Sequence, residues 1–322
     1  SRWEEVQDCV GYQAHMAGLF GLPTRFIMLN DACAAPTFSV GEPGPNANIP
    51  REIQVANESM ARNHPSGPTP LSKHLRQMRK FIINISPMLQ REGKTITVVL
   101  ATEGLPTDEH GNHNPAIVQQ FVADLRALEG LPVWVVIRLC TDDEKVFDFY
   151  NTTDAQLKLP YDVLDDFFGE AMEVYLRNPW LTYGLPLHRF REMGLRVNVL
   201  DKIDEQALSL LELRDLCFLL FGPPQPLPDP TVDMQGFFNA IQSLMSREKQ
   251  QWNPITKTVT PWIDLNRLYR TYVAPSAPVP PSQQPHQYAT PPPPPQTYYS
   301  QPQQTNQHHP GATFSHSQRP PQ

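Results

Sequence analysis

Five residues in one short stretch could do chemistry. In "TEGLPTDEHGNHN", Glu103, Asp108, Glu109, His110 and His113 crowd together, and such carboxylates and imidazoles could serve metal-assisted hydrolysis. Their spacing argues against it, because His110 and His113 fall in a Gly/Asn-rich loop and not one turn apart on a helix. The sequence also shows no G-x-S-x-G, no phosphate-cradling Gly loop and no paired nucleophile and base. A divalent-metal hydrolase built on residues 103–113 is therefore the alternative expectation. The first involves Glu103 with two other oxygen-bearing residues, Thr69 in "SGPTPL" and Asp31 in "IMLND". A hydroxyl, carboxylates and waters are what a hard cation such as Mg²⁺ accepts.

These residues follow or flank segments that read as elements of an α/β sheet. Residues 25–30 (RFIMLN), 95–101 (TITVVLA) and 133–139 (VWVVIRL) are continuous apolar, β-branched runs of strand length. Helical patterns alternate with them: Val6, Val10, Ala14 and Ala17 after a Ser1/Glu4 capping box, a short helix over about 51–62, and a longer one carrying Leu71, Leu75, Met78, Phe81, Ile82 and Ile85 on one face. A further helix spans about 115–128, with Ile117, Phe121, Val122 and Leu125 inward. Strands that are apolar throughout and alternate with helices predict a parallel sheet covered on both faces. Ligands of such a sheet bind at the carboxyl ends of its strands, where Asp31 and Glu103 fall. Residues 31–50 read as a Gly/Pro/Asn loop, a weaker strand is expected near 156–159, and a helix over about 161–177.

Beyond about residue 200 the pattern changes to two helical segments, with Ser209 and Glu212 as a capping box, then an extended piece anchored by Trp252 and Trp262. From about Ala274 the chain is rich in Pro and Gln and nearly free of charge, a composition that cannot bury enough apolar surface to fold. The expected division is a sheet domain over 1–200, a helical appendage over 201–273 and a disordered tail over 274–322. Within the tail, Pro291–Pro295 favours polyproline II and could engage a proline-recognition domain.

Composition narrows the partners. With 33 acidic against 26 basic residues the formal charge is −7, and no Lys/Arg run interrupts it, so nucleic acid is not an expected partner. No apolar stretch is long enough to span a bilayer, and Glu4, Glu5 and Asp8 occupy the region where a signal peptide would be basic and then apolar. Cys9, Cys33, Cys140 and Cys217 are scattered without metal-like spacing, as in a reducing compartment. The expectation is a soluble, cytoplasmic protein that does not bind membranes.

"SGPTPLSKHL" followed by "ITVVLATEGLPTD" resembles the von Willebrand factor A-like domain. The similarity spans about residues 1–180 and implies a doubly wound, mostly parallel sheet whose function is to bind another protein. The family's metal-ion-dependent adhesion site combines an Asp-x-Ser-x-Ser loop, a Thr in a G-T-P-L-like turn and an Asp in a T-D-G turn. The resemblance puts Thr69 at the Thr position and Glu103, one methylene longer, at the Asp position, with Mg²⁺ or another divalent cation as the implied cofactor. The Asp-x-Ser-x-Ser loop and its strand have no counterpart, so the resemblance implies an N-terminally incomplete domain without its central strand.

Overall fold

A computed structural model describes residues 2–30, 36–45, 47–64, 66–141, 143–154, 157–195 and 197–273. Ser1 with its cap, Asp31, Cys33 and the whole of the expected tail lie outside the described residues. One compact unit, Ser1–Pro275, contains every described residue. It is a mixed α/β structure in which no helix of the described residues is long and apolar enough to cross a membrane.

The sheet at its centre has three parallel strands, β3 (Ile96–Thr102), β4 (Val133–Leu139) and β5 (Tyr161–Leu164), in that spatial order. Val135, Val136, Ile137 and Leu139 of β4 are all buried, which is why this strand reads as apolar on both faces. Helix α4 (Pro115–Arg126), capped by Asn114, joins β3 to β4 and buries Phe121 and Leu125 against them. Helix α5 (Glu144–Asp154), which the sequence did not disclose, joins β4 to β5.

The last strand lies at 161–164, not 156–159, and the helix expected from 161 begins later, as α6 (Phe167–Arg177). Asp166 stops α6 from reaching further back, since its side chain accepts the Gly169 N–H at 2.8 Å as an N-cap. The residues before the cap are thereby free to pair with β4.

A larger correction concerns residues 24–40. After α1 (Arg2–Phe20), strand β1 (Thr24–Ile27) pairs antiparallel with β2 (Thr37–Val40), inside the stretch expected to be loop, and among the described residues no ladder joins it to the parallel sheet. Phe26 stacks on Phe38 with ring centroids 5.0 Å apart. Phe38 and Val40 bury against Ala14 and Ala17 of α1 and Ala56 and Met60 of α2 (Ile49–Arg62), which gives this hairpin a core of its own. Gly41 ends β2 at φ +76, where a Cβ would stand 2.9 Å from the Leu22 carbonyl oxygen, so only glycine suits the turn.

Helix α3 (Leu71–Glu92) spans the two sheets. Its central stripe, Leu71, Leu75 and Ile82, packs with Val98 and Leu100 of β3. One flank meets α4, where Arg76 pairs with Asp124 at 2.8 Å and Arg79 donates to the Ala127 carbonyl at 2.8 Å. The other flank meets β1 and its continuation: the Arg25 guanidinium lies 5.7 Å over the Phe81 ring, and His74 Nε2 donates to the Leu29 carbonyl at 2.8 Å. From Arg25 to Leu29, then, β1 advances from Phe81 toward the helix N-terminus. Since α3 turns into β3 through the left-handed Gly93, β3 advances the same way. Two strands running in one direction thus lie along one helix without pairing among the described residues, and Ile27 and Phe81 stay 42% and 46% exposed.

The C-terminal half gathers around a further core, to which α6, α7 (Leu185–Glu192), α8 (Leu210–Phe221), α9 (Met234–Met245) and α10 (Leu265–Tyr272) contribute residues such as Leu216, Phe237 and Leu268, and connecting segments Trp180 and Trp262. The Ser209/Glu212 capping box forms at the start of α8 as expected. Trp262 is buried, but Trp252 is 51% exposed on the hairpin of β6 (Gln251–Asn253) and β7 (Thr258–Thr260), so only one of the two tryptophans anchors. Asn178 is fully buried and satisfied: its amide donates to the carbonyls of Ile203 (2.8 Å) and Gln206 (2.9 Å) and accepts the Leu208 N–H at 3.0 Å.

The halves are joined by a buried ion cluster. Glu192 of α7 receives Arg138 Nε of β4 at 2.7 Å, Arg189 at 2.6 Å and the Cys9 thiol of α1 at 3.5 Å, while Arg138 also pairs with Glu5 of α1. Burial opposes the Glu192 charge, but His188, Arg138 and Arg189 outweigh it and hold the carboxyl below its ordinary range. A lowered folded-state pKa contributes stability that is complete above the ordinary carboxylate value and is lost as the pH falls. Glu192→Leu should leave Arg189 without its carboxylate and Arg138 with Glu5 as its remaining one, and cost about 3–5 kcal/mol in urea unfolding at pH 7, with a smaller deficit at pH 3. A cost below about 1 kcal/mol would show that the cluster does not join the halves.

Candidate functional site

Three loops meet at the carboxyl-terminal edge of β1 and β3. Asn30 Nδ2, just past β1, donates to the Ser66 carbonyl at 2.6 Å. Gly67 crosses directly over that side chain at φ +93, where a Cβ would lie 3.1 Å from Asn30 Cγ. The Thr69 N–H donates to Thr107 Oγ1 at 2.8 Å, and the Thr107 N–H returns to the Thr69 carbonyl at 3.0 Å. This reciprocal pair clips the loop before α3 to the loop after β3.

Glu103 stands on the second of these loops, one residue past the end of β3, and its side chain is exposed. The turn beneath it is pinned twice. Thr102 Oγ1 is within hydrogen-bonding distance of both the N–H (3.3 Å) and the carbonyl (3.1 Å) of Gly104, and the buried Tyr150 hydroxyl donates to that carbonyl at 3.0 Å. The Cys140 N–H donates to the Thr102 carbonyl at 2.8 Å, which brings the end of β4 alongside. Burial pushes the Cys140 thiol up, and the Glu192 and Glu103 carboxylates add to that push against Arg138.

Thr69 and Glu103, predicted from sequence as metal ligands, are therefore on adjacent, mutually bonded loops, though no hydrogen bond links their side chains. The third predicted oxygen source, Asp31, lies outside the described residues. One hydroxyl and one carboxylate do not make a closed cation site, and among the described residues no three His, Cys, Asp or Glu side chains converge on a common point. The residues present do not by themselves fit a complete divalent-cation site.

Asp108, Glu109 and His113 of the 103–113 cluster are each engaged in structural contacts. Asp108 accepts from the backbone N–H groups of His110 and Asn112 and from the Asn112 side chain, each at 2.8 Å, bonds that hold its carboxyl below the ordinary value. Glu109 pairs with Lys73 at 3.3 Å, and His113 Nδ1 donates to the Pro106 carbonyl at 2.9 Å.

Sequence reasoning missed a cleft of about 410 Å³ at the ends of β4 and β5, lined by Asp143, Glu144, Asp148, Asp165, Asp166 and the half-exposed Phe168 among others. The signal was present in "CTDDEK" and "LDDF", paired acids placed directly after apolar strands. Compared with protein-family models, with curated proteins and with solved structures, the chain gives no match.

Thr107→Val keeps the shape but removes the acceptor for the Thr69 N–H, and should cost about 1–3 kcal/mol in urea unfolding. Glu103→Ala should stay within about 0.5 kcal/mol of wild type, as expected of an exposed side chain. Equal losses from the two would mean that Glu103 supports the loop.

Proposed function

We propose that this chain is a protein-binding module of the von Willebrand factor A-like type, with its partner received at the edge carrying Thr69 and Glu103. The observation that carries this is the Thr69–Thr107 clip, which brings the two family-like stretches, far apart in sequence, to one edge of the sheet. The unpaired edges of β1 and β3 support the doubly wound form of the fold, because a further parallel strand between them would unite the two sheets along α3. Such a strand, ending in Asp-x-Ser-x-Ser, would supply the oxygen ligands that Thr69 and Glu103 lack, and a bound Mg²⁺ would then offer an open position to an Asp or Glu of the partner. A reducing, intracellular setting accords with Cys9, Cys140 and Cys217, all buried free thiols.

The test is to extend the chain before Ser1 with an apolar strand ending in Asp-x-Ser-x-Ser. The extended protein should bind Mg²⁺ in calorimetric titration and retain Asp- or Glu-containing peptides in a chelator-sensitive way, with Thr69→Ala and Glu103→Ala each weakening both. A folded, monomeric extended protein that binds neither Mg²⁺ nor such peptides would overturn the proposal.

A further inference from the structure

A surface helix ordinarily turns one apolar stripe inward and a polar face outward, and α8 departs from that pattern. Its sequence, LLELRDLCFLLF, contains only three polar residues, Glu212, Arg214 and Asp215. Leu213, Leu216 and Cys217 are buried in the C-terminal core. The opposite face carries Leu211 and Phe218, two turns apart and 46% and 53% exposed, with Leu219 exposed beside them. The segment before α9 enlarges this patch. Asp229 accepts from the N–H and the hydroxyl of Thr231 at 2.8 and 2.6 Å, and its other oxygen lies 3.7 Å from Arg214. Val232, 86% exposed, is thereby brought alongside α8.

The charges on the face select what covers it. Glu212 is already engaged, closing the capping box with Ser209 and pairing with Lys202 at 2.6 Å. Asp215 is exposed and has no ion pair or hydrogen bond among the described residues. Arg214 has only its long contact with Asp229, between two partly exposed side chains, which contributes little. At about 100° per residue, Arg214 and Asp215 fall on opposite flanks of the Leu211–Phe218 stripe and nearly level along the axis, about 1.5 Å apart. Two such helices laid face to face and parallel set each flank against the opposite flank of the other, so that Arg214 meets Asp215 on both sides. Laid antiparallel, they would set Arg214 against Arg214 and Asp215 against Asp215.

We propose that the exposed face of α8 is a self-association surface on which a second copy of this chain docks, the two helices lying parallel about a two-fold axis with Leu211 and Phe218 in the middle and an Arg214–Asp215 pair on each flank. The face is self-complementary in both respects that a two-fold interface requires, apolar against apolar and cation against anion. Its size sets the strength. A strip about 18 Å long and about 10 Å wide, even with Val232 at its border, stays well below the roughly 800 Å² that each partner of a standard interface buries. The dimer is therefore weak and reversible, and its population depends on protein concentration.

The experiment is sedimentation velocity of the full chain over about a hundredfold range of concentration, which should show a monomer–dimer equilibrium. Phe218→Lys, at an exposed position, should keep the fold and abolish the dimer. Asp215→Arg and Arg214→Asp should each weaken the dimer by about tenfold or more, since each sets like charges together on both flanks. An equimolar mixture of these two variants recreates an Arg–Asp pair on each flank and should associate about as tightly as wild type. A monomer at every concentration would overturn the proposal and assign the face to a different molecule. A dimer that Phe218→Lys or Asp215→Arg leaves intact would overturn it as well, and so would a loss that the mixture does not recover.

Discussion

Backbone hydrogen bonding at the open edge of β3 is the constraint around which the N-terminal half is arranged. The Ile96 N–H reaches the Pro132 carbonyl at 3.0 Å, and strand alternation then directs the N–H groups of Ile96, Val98, Leu100 and Thr102 toward β4. Those of Thr97, Val99 and Ala101 point the other way, where no described strand receives them. Unpaired amides are tolerable only near water or beside another strand. Solvation of these N–H groups would be the first of these solutions, and a strand inserted between β1 and β3 would be the second. Helix α3 fits both, because its central stripe rests on β3 while its flank already reaches β1 through Phe81 and His74.

The C-terminal half depends on charge to a degree unusual for a buried region, and α7 carries two buried clusters. At Glu192, Arg138 and Arg189 converge on one carboxylate, and the acid stays ionised. One residue earlier, Arg191 is divided between Glu170 and Asp204, and the balance is reversed. The first cluster ties the helix to β4 and α1, whereas the second ties it to α6 and the 201–205 turn. Neighbouring positions on a single turn of helix thereby connect opposite sides of the structure with opposite electrostatic demands.

Much of the architecture was legible because its signals are local. The apolar runs of β3 and β4, the stripe Leu71, Leu75, Ile82 and the Ser209 cap are written within a few consecutive residues. Strand β2 was not legible, since "TFSV" offers only two inward residues, Phe38 and Val40, within a Gly- and Pro-rich stretch. The antiparallel pairing of β1 followed from that hidden partner. At the candidate site, Thr69 and Glu103 could be named from motifs, but the Thr107 bonds that join their loops span 38 residues and leave no local trace. The ion clusters were hidden for the same reason, Arg138 and Glu192 being 54 residues apart.

Residue-resolved amide exchange in β3 tests the open edge most directly. If the edge facing β1 is open, Thr97, Val99 and Ala101 should exchange far faster than Val98, Leu100 and Thr102, in strict alternation, at a pH where the fold is intact. Uniform protection along the whole strand would contradict the account, because it would mean that this edge of β3 is already covered.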